Sequence, residues 1–159
     1  MVQIGKKVAQ FSLPATGDKT LSLDDFKGSK LVLYFYPKDN TPGCTLEGQD
    51  FRDRHTQFQK AGVVILGVSR DSVKSHENFK AKQGFPFDLL SDADEKACRL
   101  FDVIKEKNMY GKKSMGIQRS TFLIGPDGKL VKVWKRVQVD GHDQQVLEAL
   151  GLENIDVCE

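Results

Sequence analysis

The sequence predicts an α/β fold in which a mixed central sheet has helices on both faces. Two runs, residues 31–36 and 63–69, are apolar throughout, as is typical of parallel strands that are buried on both sides. A helical stretch follows each of these runs, which is the pattern of β-α-β-α connections. A turn at residues 126–128 then joins two further strands into an antiparallel hairpin, before a closing helix.

The first part of the chain predicts a short β-structure ahead of the central strand. Residues 8–23 form two short strands around the turn residues 14–18, which is a hairpin-like extension at the N-terminus. Residues 23–28 predict one helical turn that a glycine closes. The central strand is expected over residues 30–37 and ends at Pro37, because proline has no N–H for the ladder.

The remaining elements follow from hydrophobic periodicity and from the residues that interrupt it. One helix is expected over residues 43–61, with Gly48, Phe51, His55 and Phe58 on its apolar face. The later elements are expected as a strand at 63–69, a helix from Ser72 to about Gln83, a short strand at 87–90, a helix from Asp92 or Asp94 to Phe101, a polar loop at 105–118, strands at 120–124 and 129–136, and a helix at 142–150.

Composition limits the classes of protein that the chain can represent. Its 159 residues suit one domain over residues 1–159, and 24 basic against 22 acidic residues give a net charge of +2. No basic tract stands out, so no nucleic-acid partner is indicated. No apolar run approaches the ~20 residues of a membrane span, and residues 1–7 lack the apolar core of a signal peptide. No membrane association is expected.

The chain has three cysteines, Cys44, Cys98 and Cys158, which are too few and too far apart to staple a small secreted domain. We therefore expect a reducing compartment, the cytoplasm of a bacterium. Cys44 falls in the first turn of a helix that follows a buried strand. Free N–H groups and the positive end of the helix dipole meet there, and both favour a thiolate over a thiol. The sequence predicts that Cys44 is reactive.

The residues around Cys44 also carry a resemblance. Pro37, Thr41 and Cys44 reproduce the Pro-x-x-x-Thr-x-x-Cys motif of peroxiredoxins, and residues 34–45 resemble the bacterioferritin comigratory protein branch, or peroxiredoxin Q type. The likeness continues downstream and covers roughly residues 5 to 150; its segments are 67–69, 90–92 and 119–124. It implies a thioredoxin-like fold with an N-terminal extension. It also implies a thiol-dependent peroxidase that reduces hydrogen peroxide and organic hydroperoxides through a cysteine sulfenic acid.

Peroxide reduction needs more than a free thiolate. An ordinary cysteine is only ~3% thiolate at pH 7, so complete ionisation gains at most ~30-fold, and the rest must come from positioning and charge stabilisation. By the family motif, Cys44 attacks the peroxide, while Thr41 orients it and Arg119 stabilises the thiolate and holds the peroxide oxygens. Pro37 would shield the sulfur from water. The backbone N–H groups of Gly43 and Cys44 would complete the substrate site.

Some assignments stay open at this point. Tyr36 is either a core residue or part of the substrate pocket, and Glu47 and Gln49 are either surface residues or supports for the site. The three histidines, His55, His76 and His142, lack the spacing of metal ligands, so neither a metal nor a cofactor is expected. The chain is expected to be a monomer or a weak dimer.

The sequence departs from the family pattern at the second cysteine. Many members place it five residues after the reactive cysteine, where this chain has Gln49, and others place it in the next helix, where residues 78–82 contain none. Cys98 is interpreted first as a buried packing residue and Cys158 as part of a mobile end, although either remains open as a resolving cysteine. We therefore expect a one-cysteine cycle, with thioredoxin, glutaredoxin or a small thiol as external reductant.

Three other functions remain to be weighed. A thiol–disulfide exchange protein normally needs Cys-x-x-Cys, but residue 47 is glutamate. A non-catalytic redox sensor or holdase would use the same reactive cysteine without turnover. A cysteine hydrolase would have to pair Cys44 with His142, and a loop after a parallel strand suits that chemistry poorly.

Overall fold

The computed structural model describes residues 2–109, 111–135, 137–139 and 141–150. Its strands are β1 (Ser12–Ala15), β2 (Lys19–Ser22), β3 (Lys30–Phe35), β4 (Val63–Ser69), β5 (Asp88–Ser91), β6 (Ile104–Met109), β7 (Lys112–Ile117), β8 (Ser120–Ile124) and β9 (Leu130–Trp134). Its helices are α1 (Pro42–Asp53), α2 (His55–Lys60), α3 (Val73–Gln83), α4 (Lys96–Leu100) and α5 (His142–Ala149), with a 3₁₀ turn at Leu23–Phe26. No helix of the described residues is both long and apolar enough to cross a membrane.

The central sheet has the strand order β2-β1-β5-β4-β3-β8-β9. Strands β5, β4 and β3 are parallel to their neighbours within this group, whereas β8 and β9 pair antiparallel beyond β3. The β1–β2 hairpin adds to the opposite side through an antiparallel bridge from Ala15 to Leu90. The predicted mixed sheet with an N-terminal hairpin, a thioredoxin-like fold, is confirmed.

Two apolar clusters cover the two faces of the sheet, because successive side chains of a strand point to opposite sides. Leu31, Leu33 and Phe35 of β3 belong to one cluster, which also includes residues of α4. Val32, Tyr34 and Tyr36 belong to the other cluster, which includes residues of α1, α2, α3 and α5. The cluster with four helices is the one that contains Cys44.

The single helix expected over residues 43–61 is wrong, because the structure divides it into α1 and α2 at Arg54. The Arg54 backbone has ψ 3°, which breaks the regular helical path, although its N–H still bonds to the carbonyl of Asp50 at 3.2 Å. Its side chain is turned to α5, where Nε donates to Asp143 at 3.2 Å. The predicted apolar face is nevertheless present on both helices, since Phe51 of α1 and Phe58 of α2 are buried.

The polar loop expected at residues 105–118 is also wrong, because β6 and β7 form an antiparallel hairpin there. Residues 111–115 are exposed, and burial begins only at Gly116 and Ile117. An exposed strand has no apolar face to bury, so its sequence lacks the alternation by which strands are recognised. Gly111, at φ +80°, adopts the left-handed conformation that the hairpin turn requires.

The helix expected to begin at Asp92 or Asp94 begins instead at Lys96. Asp92 is buried, and its two carboxylate oxygens accept from the N–H groups of Ala97 at 3.1 Å and Cys98 at 2.7 Å. The aspartate therefore satisfies the free donors at the start of α4 from outside the helix. Aspartate is typical of helix caps, which is why the sequence predicts a helix start here. The chain instead makes a further turn at residues 93–94 before α4 begins.

Candidate active site

Cys44 lies where the sequence predicts, in the first turn of the helix that follows β3. Thr41 precedes α1 in an extended conformation, with φ −86° and ψ 153°, and Pro42 is the first helical residue. The first backbone bond runs from the N–H of Thr45 to the carbonyl of Thr41 at 2.9 Å. The N–H groups of Gly43 and Cys44 therefore precede the helical ladder and lie at the positive end of the helix dipole.

The sheet brings Arg119 to this helix from a distant part of the chain. Arg119 immediately precedes β8, whose first residue Ser120 pairs with Phe35 at the end of β3. Its carbonyl accepts from the N–H of Val137 at 2.9 Å, which fixes the backbone. Nη2 of Arg119 then donates to Sγ of Cys44 at 3.3 Å. Since Cys44 is only 2% exposed, the sulfur is largely shielded from water while in contact with a cation.

The other arm of the guanidinium binds Glu47. Nη1 of Arg119 donates to Oε1 of Glu47 at 2.5 Å, and the side chain of Glu47 is 1% exposed. Burial raises the pKa of Glu47 to about 7, although Arg119 acts in the opposite direction. The second oxygen, Oε2, has no hydrogen-bond partner among the described residues. Of the two interpretations left open for Glu47, the structure supports a buried residue that contributes to the site.

Arg119 thus bridges two acidic groups in a largely buried position. Burial lowers the pKa of Arg119, but Glu47 and Cys44 raise it and the net change is upward. The guanidinium is therefore a permanent cation here, with forked donors in a fixed orientation. Sequence reasoning could suggest Glu47 from its place one helical turn after Cys44, but not its burial.

Gly43 allows this close approach. A Cβ atom at position 43 would lie 3.1 Å from Nη2 of Arg119, which is closer than ordinary van der Waals contact. The absence of a side chain at Gly43 therefore leaves room for the guanidinium beside Cys44.

Thr41 and Pro37 lie in the loop that precedes α1, and both are half-buried. Oγ1 of Thr41 donates to the carbonyl of Lys38 at 2.8 Å and makes no side-chain cap for the helix. The hydroxyl hydrogen is thereby used within the loop, which leaves the oxygen lone pairs as acceptors. No hydrogen bond between Thr41 and Cys44 is found among the residues that the structure describes.

Tyr36 belongs to the same apolar cluster as Cys44, but its hydroxyl is directed elsewhere. It is 1% exposed and donates to Oδ1 of Asp39 at 2.6 Å. Burial, followed by the charges of neighbouring acidic groups, raises the pKa of this phenol well above its ordinary value. Its role in the substrate pocket stays a prediction.

Gln49, which occupies the first alternative position of a second cysteine, lies where α1 contacts the end of α3. Gln49 of α1 donates through Nε2 to Oε1 of Gln83 at 2.8 Å, and Nη1 of Arg52 donates to the carbonyl of Gln83 at 2.8 Å. These bonds join α1 to the end of α3. Gln49 is therefore a link between the two helices.

Cys98 does not lie beside Cys44. Cys98 is fully buried in the apolar cluster on the opposite face of the sheet from Cys44. The thiols of Cys44 and Cys98 are both free. Burial first, and then Asp92, raises the pKa of Cys98 far above its ordinary range. Cys158 lies outside the described residues. The structure thus brings together Cys44, Arg119 and Glu47 but not Cys98.

His142 is not a partner of Cys44 in this structure. Its Nε2 lies 2.8 Å from Oγ1 of Thr121 and its Nδ1 lies 3.0 Å from Oε1 of Gln145. Burial lowers its pKa. Both ring nitrogens are occupied by neutral groups, so the geometry does not support a cysteine hydrolase.

A shielded sulfur beside a fixed cation suits attack on a small electrophile whose leaving group becomes anionic. On a thioredoxin-like fold, this site defines a thiol-dependent peroxidase. The sequence model described as the AhpC/TSA family matches residues 4–133, and the chain therefore belongs to that family.

Similar proteins place the chain in the Bcp, or peroxiredoxin Q, branch of the family. Peroxiredoxin Bcp of Xanthomonas campestris is 60% identical over 144 residues, which are 89% of this chain and 90% of the relative. Peroxiredoxin Bcp of Bacillus subtilis is 48% identical and covers 94% of this chain and 95% of its own length.

Solved structures agree with this placement. A mutant of Xylella fastidiosa PrxQ matches with a TM-score of 0.90 and 48% identity, covering 95% of this chain and 96% of that one. The bacterioferritin comigratory protein of X. campestris, studied for its alkyl peroxide reduction activity, matches with a TM-score of 0.85 and 58% identity, covering 89% and 90% of the two chains.

Proposed function

We propose that this peroxidase reduces hydrogen peroxide and organic hydroperoxides with Cys44 as the nucleophile. The thiolate of Cys44 attacks one peroxide oxygen, an S–O bond forms and the O–O bond breaks. The leaving oxygen departs as hydroxide or alkoxide and takes up a proton, while Cys44 becomes a sulfenic acid. The bond from Arg119 to Sγ at 3.3 Å is the observation that carries this assignment.

Arg119 acts on both the sulfur and the peroxide in this proposal. A guanidinium fixed at one end by Glu47 keeps its position while charge moves from sulfur to the leaving oxygen. Preorganised donors of this kind stabilise a transition state without reorganisation during the reaction. The N–H groups of Gly43 and Cys44 supply further donors at the start of α1.

Thr41 orients the peroxide as an acceptor. Because its hydroxyl hydrogen is donated to Lys38, its oxygen is free to receive the O–H of a hydroperoxide. Pro37 then shields the sulfur from bulk water, and Tyr36 contributes its ring to the wall behind the pocket.

We further propose a one-cysteine cycle. The sulfenic acid of Cys44 is reduced by an external thiol from thioredoxin, glutaredoxin or a small-thiol pool, which forms a mixed disulfide that a second thiol then cleaves. The position of Cys98 across the sheet and the absence of cysteine at Gln49 support this cycle. The cycle needs no metal or cofactor, since the external thiols supply the electrons.

The setting proposed for this reaction is the cytoplasm of a bacterium. The two buried free thiols suit a reducing compartment, and the relatives above are bacterial. The chain is proposed to act as a single domain over residues 1–159 and as a monomer or weak dimer.

Peroxide consumption with a small thiol tests the proposal. Cys44→Ser should abolish turnover, whereas Cys98→Ser serves as a matched control that removes a buried thiol and keeps activity. Turnover that persists in Cys44→Ser would contradict the assignment of the nucleophile.

A further inference from the structure

The loop between β3 and α1 carries two residues of the motif, Pro37 and Thr41, and between them lies the buried Asp39. Its carboxylate accepts three hydrogen bonds. They come from the hydroxyl of Tyr36 at 2.6 Å, the hydroxyl of Ser75 at 2.8 Å and Nδ1 of His76 at 2.7 Å. The middle of the loop is thereby bound to the first turns of α3.

His76 makes two hydrogen bonds that fix its protonation. Its side chain is completely buried, and Nε2 lies 2.8 Å from the carbonyl oxygen of Leu90 in β5. A carbonyl only accepts, so Nε2 carries a hydrogen. Nδ1 faces a carboxylate oxygen of Asp39, which when ionised also only accepts. With the carboxylate ionised, both ring nitrogens carry hydrogen, and Asp39 and His76 then form a buried ion pair.

The groups around this pair are otherwise satisfied. The N–H of Asp39 donates to Oδ2 of Asp71 at 2.9 Å, and the same oxygen accepts from Ser69 at 2.6 Å. Ligand atoms of Asp39, Asp71 and His76 lie within 4.8 Å of one another, the arrangement of a candidate metal site. Since protein donors already bind Asp39 and Asp71, the contacts favour a structural lock over a metal site.

We propose that Asp39 and His76 are positioning residues for peroxide reduction. The ion pair locks the loop of residues 37–41 against α3 and thereby sets the orientation of Thr41, whose hydroxyl donates to Lys38 in the same loop. This inference rests on the proposed role of Thr41 in binding peroxide. In this proposal Asp39 and His76 act through the loop, without contact to the sulfur or the substrate.

The lock depends on the hydrogen at Nδ1 of His76. The titratable groups that face this ring are Asp39 in the loop and Tyr36 at the end of β3, with Asp71 one bond further away. Loss of the hydrogen would place two acceptors 2.7 Å apart in a buried site, which is unfavourable.

Nitrogen-15 NMR of the histidine rings tests the ion pair directly. At neutral pH the wild-type spectrum should show His76 with hydrogen on both ring nitrogens. In Asp39→Asn, the amide can donate to Nδ1, so His76 should carry hydrogen on Nε2 alone. A neutral His76 in the wild-type protein would overturn the proposal, whether or not the chain reduces peroxide.

Kinetics test the positioning role. Asp39→Leu and His76→Leu should each lower kcat/KM for peroxide at least ~10-fold, and Asp39→Asn should recover most of that loss because it rebuilds a neutral bond of the same shape. His142→Leu is the matched control, a buried histidine outside the network, and should retain kcat/KM.

A double-variant comparison separates positioning from general destabilisation. If His76 acts through Thr41, then adding His76→Leu to Thr41→Val should cause no further loss of kcat/KM. Multiplied losses would overturn the proposal. Should the leucine variants fail to fold, the NMR state of His76 in the wild-type protein and kcat/KM of Asp39→Asn decide the proposal. A wild-type protein without turnover would contradict the proposed function instead.

Discussion

Cys44 and Cys98 are both buried, but they lie in apolar clusters on opposite faces of the central sheet. A disulfide requires Cα atoms within roughly 7 Å and side chains that point toward one another. Strand β3 contributes alternate residues to the two clusters, so its backbone lies between the faces. A bond between these two cysteines would require the chain to unfold locally, which favours resolution by an external thiol.

We expect Cys98→Ser and Cys158→Ser each to keep steady-state turnover with a small-thiol or glutaredoxin-type reductant. One equivalent of peroxide should leave Cys44 as a sulfenic acid that dimedone traps, and excess should oxidise it further to sulfinic acid. Intact mass and non-reducing peptide mapping measure the products. A stoichiometric disulfide from Cys44 to Cys98 or Cys158 would make that partner the resolving cysteine.

Arg119→Ala should slow peroxide attack by more than the lost thiolate explains. The variant removes the donor to Sγ, and with it the group proposed to hold the peroxide oxygens. The alkylation rate of Cys44 against pH measures the thiolate fraction, and stopped-flow kinetics measure peroxide attack in the same variant. Each ~1.4 kcal/mol corresponds to a tenfold change, which allows the two losses to be compared. Equal losses would show that Arg119 acts on the sulfur alone.

Thr41→Val should lower kcat/KM for peroxide at least ~10-fold, because the peroxide O–H would lose its acceptor, and a donor left unsatisfied in a buried site costs ~1–3 kcal/mol. Valine keeps the shape of the side chain but removes the oxygen that is free to accept. Thr41→Ser restores the hydroxyl and should recover most of the activity. A fully active valine variant would reduce Thr41 to a loop residue.

Gly43→Ala should separate catalysis from stability. The new methyl group would meet Nη2 of Arg119 at 3.1 Å and displace the guanidinium by a few tenths of an ångström, so kcat/KM should fall ~3-fold to 10-fold. Stability should be kept or gained, since alanine favours a helical turn over glycine by ~0.5–1 kcal/mol. Thermal unfolding and peroxide kinetics measure the two effects.

Gly48→Ala is the matched control for this substitution. Its Cβ would run into the ring of Phe85, so this variant should lose stability. If Gly43→Ala instead lost stability and kept its activity, the close approach of Arg119 would not matter for the reaction.

Because of Glu47, the free energy of unfolding should decrease as pH rises. Its pKa is about 7 in the folded state, because burial outweighs the effect of Arg119, and an unfolded glutamate titrates near ~4.3. Between these values the folded state binds more protons than the unfolded state, so this group lowers the free energy of unfolding as pH increases. Glu47→Gln should remove that part of the slope, as measured by urea unfolding from pH 4.5 to 7.5.

Asp88→Asn provides a control of opposite sign. Burial tends to raise the pKa of Asp88, but hydrogen bonds from Lys19, Lys80 and Thr16 outweigh it and the net shift is downward. Its contribution to stability is present at neutral pH and is lost as the carboxylate is protonated in acid. If Glu47→Gln changed the slope in the same direction as Asp88→Asn, Glu47 would be ionised throughout this range.

Local sequence patterns determined the parts of the site that adjoin one another in the chain. The apolar run at residues 31–36, the end at Pro37 and the turn before α1 place Cys44 at a helix start, and the structure agrees. The continuous apolar runs of β3 and β4 also predicted strands that are buried on both faces, and the side chains of both strands are mostly buried. Where the side chains are exposed, as at residues 111–115 of the β6–β7 hairpin, the pattern contained no strand signal.

The sequence by itself therefore determined the class of fold, the position of Cys44 at a helix start and the likeness that pointed to Arg119, because these depend on local periodicity and motif spacing. Only the tertiary structure decided that Arg119 bridges Cys44 and Glu47 and that Asp39 is paired with His76. It also placed Cys98 across the sheet from Cys44. These relationships depend on the order in which distant strands pair and on which side chains become buried together, and no local pattern encodes either.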